Sequence, residues 1–165
     1  NNADAQCKLG YMYANGQGVQ QDDAKAVKWY RKSAAQNDAD AQYNLGAMYM
    51  SGRGVQQDVA EAVKWYRKSA AQNHARAQFN LGLMYANGQG VQQDFEKAVK
   101  FFRKAATHNY ASAQYSLGVC YANGEGVQQD YEKAVKFFRL AAAQNHADAK
   151  AALAEVSDLD LQGTK

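Results

Sequence analysis

Residues 39–71 read ADAQYNLGAMYMSGRGVQQDVAEAVKWYRKSAA, and closely similar stretches precede and follow them at intervals of 36 residues. The most regular part is the segment Gly-x-Gly-Val-Gln-Gln-Asp, which occurs at residues 16–22, 52–58, 88–94 and 124–130. Self-similarity at a fixed period of this length is typical of repeat proteins, in which each unit packs against its neighbours. The sequence therefore predicts four repeats, spanning about 3–38, 39–74, 75–110 and 111–146.

Each unit is predicted to contain two helices. In the first unit, the apolar side chains have the i, i+4, i+7, i+8 spacing that places residues on one face of a helix. These side chains belong to Ala5, Leu9, Met12 and Tyr13. Gly16 is expected to end this helix, because glycine readily adopts the left-handed conformation found at helix C-termini. A second amphipathic helix is expected to follow the glycine-rich loop.

Polar residues at fixed positions are predicted to cap the second helix. Asp22 can accept a hydrogen bond from a free backbone N–H at the start of this helix. In the second unit, Asp58 and Glu61 also fit a capping box, in which each side chain bonds the other residue's backbone N–H. Asn37 is expected to end the second helix, because asparagine tolerates the left-handed conformation. The same asparagine recurs at Asn73, Asn109 and Asn145.

A glycine lies inside each predicted first helix, where it should cost about 1 kcal/mol relative to alanine. These glycines are Gly10, Gly46, Gly82 and Gly118. Their exact register indicates a packing reason that outweighs the cost. We expect an aromatic ring of the neighbouring helix, such as Trp29 or Tyr30, to pack closely against Gly10.

Together these patterns predict an all-α fold, a single α/α solenoid over residues 1–165. We expect a right-handed superhelix of four 36-residue helix-turn-helix repeats. A last helix at about 147–157 is expected to cap the stack, because Leu153 keeps the repeat pattern while Ala154 replaces its glycine. The polar residues that follow, as far as Lys165, are expected to trail away from it.

Composition argues against several classes of protein. No apolar run approaches the ~18 residues of a membrane-spanning helix, and the first residues show no signal-peptide pattern. The net charge of +3 is too small to indicate a polyanion as an obligatory partner. Cys7 and Cys120 stand three repeats apart, so in an extended stack we expect them to be too distant for a disulfide.

The sequence contains no motif of catalysis or cofactor binding. His74 and His146 occupy equivalent turns, but no His-Glu-x-x-His or paired-cysteine spacing accompanies them. The glycines form only Gly-x-Gly, without the remainder of a dinucleotide or phosphate loop, and no nucleophile motif occurs. We therefore expect no enzyme activity, no cofactor, no metal site and no small-molecule substrate.

Three segments carry a resemblance to a known family: Ala-x-Ala-Gln-Tyr-x-Leu-Gly-x-Met-Tyr, Gly-x-Gly-Val-x-x-Asp and Ala-Val-x-Trp-Tyr-Arg-Lys-Ser-Ala. The chain resembles the Sel1-like repeat family, which is related to tetratricopeptide repeats, most clearly over residues 39–71. The resemblance implies an α/α superhelix that acts as an adaptor or scaffold, commonly in bacteria, with some inclination to an extracytoplasmic location. A cysteine-rich subgroup has been linked to penicillin binding, but Cys7 and Cys120 do not reproduce its disulfide pattern.

Positions 4, 8, 11 and 15 of the first helix form one stripe, which differs between units while the residues needed for folding recur. By analogy with related repeat folds, we predict that this stripe lines a concave groove for a peptide or protein partner. Amides and cations there can hold a peptide backbone or a carboxylate, and neighbouring aromatics can supply apolar pockets. The candidate residues are Lys8, Tyr11, Tyr43, Asn44, Arg76, Phe79, Asn80, Leu83, Tyr115 and Ser116.

Two other interpretations of these residues stay open. The variable stripe is equally explained as tolerated surface variation. The aromatic residues Tyr43, Phe79 and Tyr115 are also expected to pack between adjacent repeats, since aromatics at helical spacing usually belong to a core.

A basic ridge on the second helices is the alternative binding surface, suited to an anionic polymer. It comprises Lys28, Arg31, Lys32, Lys64, Arg67, Lys68, Lys100, Arg103, Lys104, Lys136 and Arg139. Cations near a helix C-terminus also stabilise the helix through its dipole. We therefore interpret the ridge as a solvated face and do not expect a nucleic-acid partner.

Overall fold

The structure is a computed structural model that describes residues 2–162, with the backbone alone for 156–162. Within this range all regular elements are α-helices. They are α1 (Ala3–Asn15), α2 (Asp23–Ala34), α3 (Ala39–Ser51), α4 (Val59–Ala71), α5 (Ala75–Asn87), α6 (Phe95–Thr107), α7 (Ala111–Asn123), α8 (Tyr131–Ala142) and α9 (Ala147–Gln162). The predicted all-α architecture of four helix pairs followed by one more helix is confirmed.

Each helix packs against the next helix along the chain, so the pairs stack into a solenoid. The apolar core is divided into four clusters that follow one another along the stack. The last helix, α9, packs on α8 and continues to Gln162, beyond the expected end near residue 157. Lys165 lies outside the described residues.

The aspartates that precede the second helices cap them as predicted. Asp22 accepts the backbone N–H of Lys25 at 2.9 Å, and the same bond forms in the other three repeats. The prediction of a capping box at Asp58 is wrong, because the Asp58 backbone N–H donates to the Tyr49 carbonyl at 3.0 Å and Glu61 pairs with Lys64. This N–H therefore closes the loop onto the end of α3 instead of bonding Glu61.

Left-handed residues separate the helices. Gly16 ends α1 with φ of 67°, and the equivalent glycine ends each of the other first helices. The predicted asparagines also adopt positive φ, with 65° at Asn37, 63° at Asn73, 56° at Asn109 and 65° at Asn145. The two kinds of turn thus reverse the chain at both ends of every pair.

The internal glycines admit an aromatic ring, as predicted, and the ring is that of Tyr30 and its equivalents. A Cβ built at Gly10 would lie 2.7 Å from Cδ1 of Tyr30, closer than carbon atoms approach in proteins. Gly46 faces Tyr66 in the same way, and at Gly82 and Gly118 the facing rings belong to Phe102 and Phe138. Trp29 is only half-buried, with the Lys32 ammonium over its ring at 4.4 Å.

A buried glutamine joins neighbouring repeats. The side chain of Gln42 is 2% exposed and donates to the Asn37 side chain at 3.1 Å, while its Oε1 accepts from Gln72 at 2.8 Å. In two other repeats the equivalent bond forms at 2.7 Å, from Nε2 of Gln36 to Oε1 of Gln6 and from Nε2 of Gln144 to Oε1 of Gln114. We refer to these three Gln–Gln pairs as the glutamine ladder.

The third repeat interrupts the glutamine ladder. Residue 108 is a histidine, whereas the equivalent residues of the other repeats are Gln36, Gln72 and Gln144. The buried Oε1 of Gln78 consequently has no hydrogen-bond partner among the described residues. A buried acceptor without a partner costs roughly 1–3 kcal/mol.

His74 begins α5 as its N-cap. Its Nδ1 accepts the backbone N–H of Ala77 at 3.2 Å, so the ring proton is on Nε2, which donates to the Asp40 carboxylate at 3.0 Å. Burial lowers the pKa of His74 below its ordinary value, and the nearby Asp40 offsets this effect only in part. The imidazole is therefore neutral at neutral pH.

Gly82→Ala is expected to lower the free energy of unfolding by about 1–3 kcal/mol, because the added methyl overlaps the Phe102 ring. At an unconstrained helical site the same change stabilises, since alanine has the higher helix propensity. Urea unfolding of Gly82→Ala, Phe102→Leu and the double variant checks this. Strict additivity of the two changes would show that they do not interact and would contradict the packing explanation.

His108→Gln is expected to raise the free energy of unfolding by about 0.5–1.5 kcal/mol, by supplying the missing donor to Gln78 Oε1. His108→Ala is the matched control, since it removes the imidazole without adding a donor. The two variants are compared by chemical unfolding. Equal stability of these variants would mean that the ladder does not extend to this position.

Acidification is expected to destabilise the fold through His74. The pKa of His74 is lower in the folded protein than in the unfolded chain, where it is about 6.5. At pH values between these two pKa values, the unfolded chain therefore binds more protons than the folded protein. This contribution is present above about pH 6.5 and is lost as the pH falls through the folded pKa. In His74→Asn, which keeps a capping side chain, unfolding free energy should depend less on pH. Identical pH profiles for parent and variant would contradict this role.

Candidate functional site

A groove of about 820 Å³ crosses the first helices of three successive repeats. It is lined by side chains of α1, α3 and the start of α5, with Tyr110 at its far end. Five of the ten predicted binding residues lie in it: Lys8, Tyr11, Tyr43, Asn44 and Arg76. The stripe of varying first-helix positions therefore coincides with a real concavity over part of its length.

The first-repeat end of the groove carries a polar pair and an exposed aromatic ring. Lys8 donates to the Asp4 carboxylate at 2.7 Å, one helical turn away on α1. Tyr11 follows on the same side of the helix and is 50% exposed, which is high for a large hydrophobic residue. Its ring is therefore available for contact from the groove side.

The floor of the groove is formed by Tyr43, Asn44 and Cys7. The Tyr43 ring packs on Tyr66 with 5.8 Å between centroids and stacks on His74 at 4.8 Å. The Asn44 amide lies 4.0 Å from the Cys7 sulfur. Burial, together with nearby aspartates, raises the pKa of the Cys7 thiol to about 12. This cysteine is therefore a neutral thiol and a poor nucleophile at physiological pH.

The third-repeat end carries Asp40, His74 and Arg76. The Asp40 side chain is 75% exposed, with the His74 imidazole as its only ion-pairing or hydrogen-bonding neighbour among the described residues. Arg76 is exposed and makes no ion pair within the described part of the chain. Opposite charges thus flank the half-buried His74 ring, since both Asp40 and Arg76 influence its pKa.

The other five predicted residues lie outside this groove. Phe79 packs against Phe102 and Tyr110, and Tyr115 packs against Phe138 and His146, so both rings serve the protein's own packing. Asn80 lies close enough to the hydroxyls of Tyr43 and Tyr66 to lower the pKa of both, against the larger effect of burial, which raises it. Leu83 is exposed and Ser116 is half-buried.

Sequence reasoning missed several groove residues, above all His74 and Tyr110. Both occupy the turn that precedes a first helix, and this position reads Asp38, His74, Tyr110 and His146 through the repeats. That variation was the available signal. Its meaning depended on the stacking of one repeat's turn over the preceding repeat's first helix, which only the structure shows.

Three arginines of the basic ridge contact the next repeat. Arg31 donates to the hydroxyl of Tyr49 at 2.8 Å, a contact between successive repeats. Equivalent bonds of 2.9 Å join Arg67 to Tyr85 and Arg103 to Tyr121. These three arginines therefore link successive repeats, while Lys28, Lys64 and Lys100 of the same ridge are exposed, as a solvated face requires.

The described residues hold no group of three or more His, Cys, Asp or Glu side chains arranged for a metal ion. Over the same residues, no helix combines the length and apolar character needed to cross a membrane. Cys7 and Cys120 are both free thiols, as their separation predicted.

Comparisons with known proteins agree with this architecture. The family model described as Sel1 repeat matches residues 3–38, 39–74, 75–110 and 111–146. A Sel1 repeat protein from Oxalobacter formigenes is 40% identical with a TM-score of 0.90, the match covering 94% of this chain and 63% of that one. The protective antigen c5321 of uropathogenic Escherichia coli is 42% identical with a TM-score of 0.87, over 90% of this chain and 32% of that one.

A third structure, Helicobacter pylori cysteine rich protein B, is 26% identical with a TM-score of 0.63, over 83% of this chain and 98% of that one. A search among curated proteins found no match. The chain thus spans less than two thirds of the first two matched structures. Sel1 repeat proteins are generally scaffolds for protein–protein interaction. Because the family model matches all four repeats, the chain belongs to the Sel1 repeat family.

Proposed function

We propose that the groove across α1, α3 and α5 binds a segment of another protein, and that the chain acts as an adaptor without catalysing a reaction. The observation that carries this proposal is the convergence of Tyr11, Asn44 and Arg76 in one groove of about 820 Å³. These three side chains come from different repeats; Tyr11 and Arg76 have no counterpart at the equivalent positions, and Asn44 recurs only at Asn80. Residues required by the fold, in contrast, recur in every unit.

The chemistry of the lining suits a polypeptide ligand. The Asn44 side-chain amide offers both a donor and an acceptor, which match the backbone N–H and C=O groups of an extended segment. The exposed Tyr11 ring supplies amphipathic contact area at little cost in conformational entropy. Arg76 adds a guanidinium that can bind a carboxylate through two hydrogen bonds.

The helices that carry these side chains are held rigidly, which favours binding. The Gly46–Tyr66 contact fixes α3 against α4, and the bond between Gln72 and Gln42 adds a second link within that pair. A preorganised surface loses less conformational entropy on association than a mobile one. The scaffold therefore leaves more of the contact energy for affinity.

The same features argue against catalysis at this site. The Cys7 thiol has a pKa of about 12, and Nδ1 of His74 is occupied by the backbone N–H that it caps. Neither group is poised for proton transfer or nucleophilic attack near neutral pH. Binding is the activity that remains.

The test is a pull-down from the native host with the parent, a groove variant and a ridge variant. The groove variant combines Lys8→Ala, Asn44→Ala and Arg76→Ala. The ridge variant combines Lys28→Ala, Lys64→Ala and Lys100→Ala, which removes three exposed lysines from the opposite helices. We expect a partner to be retained by the parent and the ridge variant but lost from the groove variant. With the purified partner, calorimetry should show at least about tenfold weaker binding to the groove variant.

Circular dichroism and thermal unfolding check that the groove variant keeps the helix content and melting temperature of the parent. Loss of the partner from the ridge variant alone would transfer the function to the basic ridge. Such binding would also weaken steeply with added salt. Retention of the partner by both variants would exclude both surfaces.

A further inference from the structure

The groove contains four charged side chains, of which two neutralise each other. Asp4 and Lys8 are joined by a 2.7 Å ion pair on one helix. Asp40 and Arg76 form no ion pair with each other, and neither contacts another permanently charged side chain in the described part of the chain. The groove therefore retains one unneutralised charge of each sign.

Asp40 has no cation beside it among the described residues, because its neighbour His74 is neutral. The Nδ1 atom of His74 accepts a backbone N–H, so the proton lies on Nε2 and is donated to the Asp40 carboxylate. Burial of the imidazole lowers its pKa and disfavours the protonated form that would neutralise Asp40. Three quarters of the Asp40 side chain is exposed, so a cation can approach it from the groove.

Arg76 occupies the equivalent place one repeat further on. Residues 40 and 76 both lie in the first turn of a first helix, 36 positions apart. At this repeat position the groove therefore has a negative charge at Asp40 and a positive charge at Arg76. The first turns of α3 and α5 are neighbours, since Asp40 contacts His74, two residues before Arg76, at 3.0 Å. Neighbouring helices generally lie roughly 8–10 Å apart, a distance spanned by about three residues of an extended chain at about 3.3 Å each.

We propose that the groove recognises an extended partner segment carrying one basic side chain, which pairs with Asp40, and one acidic side chain about three residues away, which pairs with Arg76. This inference rests on the proposed function and adds to it the chemistry of the ligand. The two charges fix both the position and the direction of the segment. A segment with its charges in the opposite order would place like charges together in the same orientation.

The test uses a random-peptide display library selected separately on the parent and on a charge-exchanged variant, Asp40→Arg with Arg76→Asp. The exchange preserves the net charge and the composition of the groove. We expect the parent to select peptides with a basic and an acidic residue at a fixed spacing, and the variant to select the reverse order. Anisotropy titrations with one selected peptide and its charge-reversed isomer should show a preference of at least about twofold that inverts between the two proteins, as expected when two exposed ion pairs form with one isomer and not with the other.

Two single variants keep the test decisive if the exchanged variant folds poorly. Asp40→Asn should lose the preference for the basic residue, and Arg76→Gln should lose the preference for the acidic one. Selection of the same motif by all forms, or of no peptide by the parent, would overturn the charge assignment. A different result would show that the proposed function itself is wrong. In that case the selected peptides would bind the groove variant, in which Lys8, Asn44 and Arg76 are replaced by alanine, as tightly as they bind the parent.

Discussion

The contact between a helix backbone and an aromatic ring is the constraint on which this fold depends. At Gly10 the absence of a side chain lets the Tyr30 ring lie directly on α1, and the same contact recurs in each repeat. The contact sets the distance between the two helices of a pair. Because every pair has the same spacing, the pairs stack in register and their first helices form a continuous surface. The groove is a consequence of that regularity.

Stacking of the pairs relies on polar contacts that are less uniform. Asn37 and Asn109 each accept hydrogen bonds from two glutamines of the next repeat, Gln42 and Gln72 or Gln114 and Gln144, but the equivalent Gln78 has a buried acceptor without a partner among the described residues. Near the first repeat, Arg53 adds a two-bond contact to Asp23 at 2.6 and 3.1 Å. Of the two junctions that the groove crosses, the one between the first and second repeats is therefore better supported by polar contacts than the one at Gln78.

The sequence predicted the architecture well, because periodic residues act through local rules. The capping of α2 by Asp22, the left-handed Asn37 and the close packing at Gly10 each follow from one residue's own conformational chemistry. The capping box at Asp58 failed since its N–H had a competing acceptor, the Tyr49 carbonyl, across the loop. The site was predicted only in part, because the groove also takes His74 and its neighbours from the following repeat. Repeat periodicity shows which residues are equivalent, but the overlap of one repeat with the next requires coordinates.

The contacts that charged side chains already make within the fold also bear on the choice between the groove and the ridge as the binding surface. The ridge has far more cations, yet Arg31, Arg67 and Arg103 donate to tyrosine hydroxyls of the next repeat. At these arginines a polyanion would compete with contacts that already stabilise the stack. Asp40 and Arg76, in contrast, lie beside a neutral imidazole and have no charged partner to displace. A ligand charge can therefore pair with Asp40 or Arg76 without breaking an existing ion pair of the described residues, which leaves both charges available for recognition.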